Sequence, residues 1–315
     1  MNCESVNLTD LLWADETFAV PSFVSADQLH DSLRRFGILQ PPWVWRKAGG
    51  KCVIVDGFKR LQWARQTGAE EVECRVFPAD ADVGELMLRR VENKLFGPPL
   101  NTAEKAQLVH KLSLHVPQRQ MLDLCLPRLG IAARPEVPEK WRRLAVSNEH
   151  MLAAAAQGRV CERAALELAE WEDGPRRRMV SLLNELRCSA SIQLELIERV
   201  REIALREDAG PQQVLDDEGV ARVLSCAEMN HRQKTEALRK IFYARRYPRI
   251  RAREERFQQG LAALGLPAGV AVLPPPGFEG KDWQLRLQFA SDDELRQSLA
   301  ELQHLVSSMD LLSFL

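Results

Sequence analysis

The stretch CVIVDGFKRLQWA, residues 52–64, sets the organisation of the first part of the chain. Its apolar run, residues 52–55, has the length of a buried strand and stops at Asp56-Gly57. A helical pattern follows at once, with Leu61 and Ala64 three residues apart and Gly68 as a natural C-terminal stop. The sequence therefore predicts a strand that passes into a helix at a glycine.

This turn is also a candidate anion site. The first amides of a helix have no intrahelical acceptors, and the helix dipole places partial positive charge at the same end. Lys59 and Arg60 add two cationic side chains in the first turn. Phosphate is the anion that such a turn would bind, although strand-glycine-helix turns with a basic residue also occur in domains that bind nothing there.

The segments around the turn alternate between strand and helix patterns. We expect strands at residues 8–13, 43–46, 52–55 and 72–77, and helices from a Ser25 cap to residue 36, at 58–67 and at 83–95. The pattern is not a regular βαβ series. It predicts a mixed α+β domain over residues 1–100.

Four segments carry a family resemblance. They are FGILQPPWVWR (36–46), the VDGFKR turn (55–60), GAEEVECRVF (68–77) and VENKLFGPPLNTAEKA (91–106). Their order and spacing resemble the N-terminal domain of ParB-type chromosome-partition proteins, a fold shared with sulfiredoxin. The resemblance covers about the first third of the chain well and the next third loosely.

The resemblance implies a nucleoside triphosphate, CTP in the partition proteins, bound together with Mg²⁺. It assigns the phosphate or nucleotide role to Gln40, Gly57, Arg60 and Asn93, to which the charge of Lys59 adds, and the metal to Glu92. A carboxylate and an amide beside phosphates suit Mg²⁺, an ion that prefers oxygen ligands. No residue is assigned a catalytic role. Without the family resemblance, Glu92 and Asn93 would be interpreted as residues that cap a helix or lie on its solvated face.

Two positions depart from the family pattern. Phe58 replaces the polar or acidic residue that usually follows the glycine, and Phe96 stands where the Glu-Asn-x-x-Arg motif ends in arginine. A lost charge-assisted contact to phosphate costs about 1.5–3 kcal/mol. We therefore expect weakened nucleotide binding and at most a weak triphosphatase. Sulfiredoxin chemistry is not expected, since the family's catalytic cysteine falls at Phe58.

Composition places the chain among soluble, multidomain proteins. It has 315 residues, of which 45% are hydrophobic and 28% charged, with a net charge of −1. No apolar run has the length that spans a bilayer, so a cytoplasmic location and no membrane partner are expected. Seven dispersed cysteines with no CxxC pair suggest neither a zinc site nor a disulfide framework.

Positive charge is concentrated in residues 232–256, which hold ten cationic and three acidic residues. Such a segment can bind the DNA backbone without sequence preference. The candidate DNA contacts are Arg239, Lys240, Arg245, Arg246, Arg249 and Arg251. The alternative is a solvated helix face whose arginines pair with acidic neighbours such as Asp216, Asp217 and Glu218.

The rest of the chain predicts three further parts. Residues 101–209 are helical in period, with a capping box at Asn101 and Glu104. Partition proteins place a helix-turn-helix near residues 126–148, but Pro135 and Pro138 predict a degenerate motif with a short or displaced second helix. Residues 208–217 resemble a linker, and residues 210–265 form a basic helical segment. A small β-β-α unit fills 266–315.

Three functional hypotheses follow. The first is a ParB-like, nucleotide-binding and DNA-associated protein, expected to be a homodimer by resemblance and because the β-β-α unit and the apolar residues 311–315 need a cover. The second is a metal-dependent nuclease on the same fold. The third is a degenerate scaffold that acts through protein contacts.

Overall fold

The computed structural model describes residues 2–21, 27–280 and 282–308. The predicted Ser25 cap and the apolar residues 311–315 lie outside these ranges. The chain divides into two compact units, residues 1–198 with 224–234, and residues 199–223 with 235–315. The four-part division expected from the sequence stays a prediction. None of the described helices is long and apolar enough to cross a membrane.

A four-stranded sheet forms the base of the first unit. Its strands are β1 (Asn2–Asn7), β2 (Trp43–Arg46), β3 (Cys52–Asp56) and β4 (Glu71–Phe77), in the order β1-β4-β2-β3. The β1/β4 and β2/β3 pairs are antiparallel and the β2/β4 pair is parallel. The mixed α+β class predicted for this region is thus confirmed.

The first strand lies earlier than predicted. Residues 8–13 were expected to form it, but the strand is Asn2–Asn7 and a 3₁₀ turn, Leu8–Asp10, follows. The side chain of Asn7 accepts hydrogen bonds from the backbone N–H and the hydroxyl of Thr9. This local bond turns the chain out of the extended conformation, so the prediction for residues 8–13 was wrong.

Three helices accompany the sheet: α1 (Asp27–Phe36), α2 (Phe58–Gln66) and α3 (Val83–Leu95). Leu61 and Ala64 of α2 belong to a buried cluster with Val44, Ile54 and Cys74 of the sheet. This packing fixes the start of α2 at the end of β3. On α3, Asp82 caps the first turn by accepting a hydrogen bond from the amide of Glu85.

The remainder of the first unit is helical, with α4 beginning at the predicted capping box. Asn101 accepts from the amide of Glu104, whose carboxylate accepts from the amide of Asn101. The helices are α4 (Thr102–His115), α5 (Gln118–Gln120), α6 (Leu126–Arg128), α7 (Val137–Ala145), α8 (Glu149–Ala156), α9 (Glu162–Leu168) and α10 (Asp173–Leu186), with a π-helical segment, Met121–Cys125, between α5 and α6.

The two prolines of the predicted helix-turn-helix region lie at the start of α7. Pro138 occupies one of its first two positions, where its missing N–H costs nothing, and Pro135 precedes the helix in a turn. The second helix of this region has nine residues. Whether these helices act as a helix-turn-helix stays a prediction.

The remaining helices begin with α11 (Ala190–Arg206), whose residues are divided between the two units. Then follow α12 (Pro211–Leu215), α13 (Glu218–Ser225), α14 (His231–Arg246), α15 (Pro248–Leu264) and α16 (Asp292–Ser308). The expected linker at 208–217 was therefore wrong in part. Pro211 opens a short helix whose Val214 and Leu215 are buried.

The C-terminal strands are β5 (Val270–Leu273) and β6 (Gln284–Leu287), an antiparallel pair. Trp283 packs on Phe257 and Phe278, with ring centroids 5.6 and 6.3 Å apart. Leu285 and Phe289 are 53% and 51% exposed. Two short strands offer too little surface to bury a complete face.

Candidate functional site

The turn between β3 and α2 depends on Gly57. Its φ of +87° lies in the left-handed region, which L side chains rarely adopt. A Cβ atom at this position would lie 2.9 Å from the Cβ of Pro42 and 3.1 Å from Nε of Arg60. Glycine thus permits both the backbone conformation and the close approach of the neighbouring segment.

The N-terminus of α2 faces this turn without a side-chain cap. Glycine has no side chain that could accept from the first amides, and no capping hydrogen bond is formed at Gly57. The amides of the first turn and the positive end of the helix dipole therefore remain directed at the turn. The uncapped helix start expected from the sequence is therefore present, and anion binding there stays a prediction.

A charged cluster is built on Asp56, the last residue of β3. Its Oδ2 atom accepts hydrogen bonds from Nη2 of Arg60 at 3.1 Å and from Nδ2 of Asn93 at 3.0 Å. Its Oδ1 atom lies 3.6 Å from Nη1 of Arg90. The carboxylate side chain is only 15% exposed. One carboxylate thus gathers side chains from α2 and α3.

Arg90 is the residue of this site that the sequence analysis missed. Its side chain is 3% exposed, it donates to the carbonyl of Val55, and its guanidinium lies 5.2 Å from the ring centroid of Phe58. Burial lowers the pKa of Arg90 to about 10, while the charge of Asp56 acts in the opposite direction. Its Nε atom is buried and has no hydrogen-bond partner in the part of the chain that the structure describes.

A signal for Arg90 was present in the pattern of α3. The buried positions of that helix are Gly84, Leu86, Met87, Arg90 and Val91. Arg90 therefore falls on the apolar face, four residues after Leu86. An arginine at such a position is seldom buried unless an acceptor or a counterion meets it there.

A cavity of about 240 Å³ opens at this turn. Its described lining includes four cationic side chains and one carboxylate, together with apolar groups. The lining residues are Val20, Leu29, Asp56, Gly57, Phe58, Lys59, Arg60, Arg90 and Lys94. An anionic ligand with an apolar portion suits such a lining.

The structure brings most of the predicted nucleotide residues together. Gly57, Lys59 and Arg60 line the cavity, and Asn93 reaches it through Asp56. The contribution of Gln40 is its backbone carbonyl, which accepts from Nη1 of Arg60 at 2.5 Å. These contacts show where the predicted residues lie relative to the cavity. Their roles in nucleotide binding stay predictions.

Glu92, the predicted metal ligand, lies apart from the Asp56 cluster. Its Oε1 atom is 3.3 Å from Nε of Arg128. Successive residues of a helix point about 100° apart, so Asn93 reaches Asp56 while Glu92 points elsewhere. Among the described residues, Asp56 is the one carboxylate that lines the cavity, and no group of three or more His, Cys, Asp and Glu is placed to hold a metal ion.

Phe96, where the family motif ends in arginine, is 88% exposed. The cation beside it, Lys94, lines the cavity and pairs with Glu104 at 3.3 Å. The lost arginine is therefore not replaced at its own position. Arg90, which lies six residues earlier on α3, supplies a guanidinium to the cavity at the Gly57 turn.

The predicted DNA contacts mostly have carboxylate partners. Four of the six form ion pairs: Arg239 with Glu236 (2.9 Å), Arg245 with Glu207 (2.6 Å), Arg246 with Glu202 (2.8 Å) and Arg251 with Glu255 (2.9 Å). Arg245 also lies 3.4 Å from Asp217, one of the acidic neighbours considered as its partner. Lys240 and Arg249, the other two, are exposed.

Comparison with known proteins gives structural matches only. No family model matches the chain, and no curated protein does. It is similar to the C-terminally truncated chromosome-partitioning protein ParB from Caulobacter crescentus complexed with CTP-gamma-S, at 18% identity and a TM-score of 0.27, over 58% of this chain and 99% of that one. The same truncated protein complexed to the centromeric parS site matches at 20% identity and a TM-score of 0.30, over 62% and 97%.

A third match is the Pnob8-like ParB-N domain, at 16% identity and a TM-score of 0.36, over 76% of this chain and 97% of that one. All three solved structures are of ParB proteins or their N-terminal domains. ParB is also the family that the sequence motifs resemble.

Proposed function

We propose that this chain is a ParB-like protein that binds a nucleoside triphosphate at the Gly57 turn and associates with DNA. The observation that supports the nucleotide is the cavity at the N-terminus of α2, lined by Lys59, Arg60, Arg90 and Lys94. Four cations at an uncapped helix start suit a polyphosphate better than a neutral ligand. CTP is the first candidate, because one of the similar ParB structures holds CTP-gamma-S.

Mg²⁺ would accompany the phosphates, since hard cations are commonly held by phosphate oxygens and one or two carboxylates. Hydrolysis is proposed to be weak or absent. A metal-dependent nuclease, the second candidate, needs several carboxylates around its metal, and the part of the chain that the structure describes offers one in this cavity. One observation supports the third candidate, a scaffold that acts through protein contacts. Phe96 is exposed at the position where the family motif has an arginine, so that phosphate contact is missing.

Titration calorimetry of the full chain with CTP, ATP and GTP in Mg²⁺ tests the nucleotide. We expect binding by the wild type and loss of binding in Arg60→Ala, because Arg60 lines the cavity beside the first turn of α2. Arg65→Ala is the matched control: it removes an arginine of the same helix that stacks on Trp13. Absence of heat with every nucleotide at millimolar concentration would contradict the proposal and favour the scaffold.

DNA association is proposed to be non-specific and to rest on exposed cations such as Lys240 and Arg249. Contacts to backbone phosphates carry no sequence information and weaken with salt. Fluorescence anisotropy on two unrelated duplexes at two salt concentrations tests this proposal. We expect equal affinities for the duplexes and a marked loss at the higher salt, and a lack of binding at low salt would remove DNA from the list of partners.

A homodimer is proposed as the assembled state. Leu285, Phe289, Leu299 and Val306 are large hydrophobic side chains that are exposed in the C-terminal region, and a second copy would cover such residues. Light scattering over a range of protein concentrations tests this. A mass equal to one chain at every concentration would contradict it.

A further inference from the structure

Asp56 occupies the donors that a bound phosphate would need. Arg60 and Asn93 both donate to its Oδ2 atom, and Arg90 lies at its Oδ1 atom. The second Nη atom of Arg60 is held by the carbonyl of Gln40. A phosphate group that arrives at the start of α2 therefore meets donors that the protein has already engaged.

The cavity nevertheless retains a demand for negative charge. Asp56 is the one carboxylate in its described lining, against four cations, of which Lys94 also pairs with Glu104 outside the lining. Among the described residues, the Nε atom of Arg90 has no acceptor, which leaves one donor of a 3%-exposed guanidinium unsatisfied. This unsatisfied donor on α3 indicates a missing acceptor, and it is an observation independent of the uncapped N-terminus of α2.

Asp56 and a phosphate cannot share these donors at low cost. Asp56 is 15% exposed, and like charges repel more strongly where water is largely excluded. A divalent cation between the carboxylate and the phosphates changes this repulsion into two attractions. Carboxylate and phosphate oxygens are also the ligands that Mg²⁺ prefers.

We infer that Asp56 is an internal competitor of the polyphosphate, and that a divalent cation relieves the competition by taking the Asp56 carboxylate as a ligand. This inference rests on the proposed nucleotide function and deepens it, since it names the ligand of the site as a metal–polyphosphate complex. It assigns to Asp56 the metal contact that the sequence placed on Glu92. Release of Asp56 frees Arg60 and Asn93 for the phosphates.

The test compares the wild type with Asp56→Asn by calorimetry, using sodium tripolyphosphate and CTP, each in EDTA and in Mg²⁺. We expect the wild type to bind both ligands much more weakly in EDTA than in Mg²⁺. Asp56→Asn should bind in EDTA at least about tenfold more tightly than the wild type does, which corresponds to about 1.4 kcal/mol. Asp10→Asn is the control, because it removes a carboxylate of the same domain that pairs with Lys51.

Two outcomes would overturn the inference while the nucleotide function stands. One is wild-type affinity in EDTA equal to that in Mg²⁺. The other is a folded Asp56→Asn that binds nothing in either condition while the wild type binds in Mg²⁺, because Asp56 would then hold the donors in place rather than compete for them. If neither protein binds either ligand, both the proposed function and the inference fail.

A second measurement needs no variant and so does not depend on the folding of Asp56→Asn. Hexamminecobalt(III) neutralises phosphate charge, but its ammine ligands exchange too slowly for Asp56 to enter the coordination shell. We expect it not to replace Mg²⁺ in support of wild-type binding. Equal support by both cations would show that charge neutralisation suffices and would overturn the role of Asp56 as a metal ligand.

Discussion

Two arginine-rich regions of this chain use their charge in different ways. At the Gly57 turn, Arg60 and Arg90 share one carboxylate, Asp56, which also accepts from Asn93. In the basic segment, residues 232–256, arginines have separate partners: Arg245 pairs with Glu207 and Arg246 with Glu202. The cavity at the turn is lined by four cations, whereas the basic segment holds ten, so the number of cations alone does not show how much of their charge is neutralised.

The comparison shows that a basic cluster must be judged by how many carboxylates its cations already contact, and not by the number of cations alone. Where each arginine has its own carboxylate, most of its charge is already neutralised, and the pair contributes about 0–1 kcal/mol to stability when it is exposed. Where two guanidinium groups, those of Arg60 and Arg90, share one carboxylate in a cavity, their positive charge exceeds the negative charge of their common partner. The turn is therefore the stronger candidate for a specific ligand.

The largest effect is expected at Gly57. Gly57→Ala places a side chain at positive φ, which costs about 1–2 kcal/mol, and forces its Cβ to 2.9 Å from Pro42, which adds about 1–3 kcal/mol. Gly68→Ala is the control, because Gly68 also has a positive φ but a Cβ there meets nothing within 4 Å. Urea unfolding should show the greater loss for Gly57→Ala, and equal losses would refute the close approach.

The next effect concerns the buried cation. Arg90→Met should lower affinity for the nucleotide by about 1.5–3 kcal/mol, the usual loss for a hydrogen bond to a charged group. The free energy of unfolding of Arg90→Met should fall by less than its binding free energy, since Asp56 keeps Arg60 and Asn93 as partners. Calorimetry measures the first change and urea unfolding the second. Arg89→Met, an exposed neighbour on α3, should leave both unchanged, and a similar loss of affinity in the two variants would count against Arg90.

A smaller effect is expected in the basic segment. Lys240→Glu with Arg249→Glu should reduce the salt dependence of DNA binding by about two ions, one for each lost phosphate contact. Arg245→Met with Arg246→Met should leave that dependence nearly unchanged, because these side chains are engaged by Glu207 and Glu202. Anisotropy titrations over a range of salt measure it. The reverse order of the two double variants would contradict the division into paired and available cations.

The smallest effect is a pH-dependent one at Glu207. The hydrogen bond from Arg245 lowers the pKa of Glu207 below its usual value. A carboxylate with a lowered folded-state pKa stabilises the fold above its unfolded-state pKa, about 4.3 for Glu, and that stabilisation is lost as pH falls below this value.

Glu207→Gln should therefore cost about 1 kcal/mol or less at pH 7. Relative to the wild type, the loss should shrink as the pH is lowered through the acid range. Urea unfolding at several pH values measures it, with Glu73→Gln, an exposed residue of β4, as the control. A loss that grows on acidification would mean that the pair with Arg245 is not the cause.

The elements near the turn could be predicted because their signals are local. Strand 43–46 and helix 83–95 have the bounds expected from alternation, period and caps. Strand 8–13 failed because one hydrogen bond from Asn7 outweighs the apolar pattern. The capping box at Asn101 and Glu104 could also be predicted because its signal is local: both of its hydrogen bonds join residues three positions apart.

The site itself could be predicted only in part. Gly57 and Arg60 are adjacent in the motif, but the bond between Asn93 and Asp56 joins residues 37 positions apart. Neither that bond nor the pairing of Glu92 with Arg128 can be derived from spacing in a motif. Arg90 was missed because a single arginine on an apolar face was not treated as a signal. The partners of the basic segment, Glu202 and Glu207, lie outside it in sequence and were missed for a similar reason.

The order of the strands has a consequence for how the protein is made. Among the described strands, β1 pairs with β4 alone, so β1 cannot join the sheet until residues 71–76 have been synthesised. Contacts of such sequence separation form late, because the closure of a long loop must precede them. A nascent chain that ends near residue 80 holds the complete turn, but Asp56 then has Arg60 without Arg90 or Asn93. The charged cluster around Asp56 is thus complete only after α3 has been synthesised.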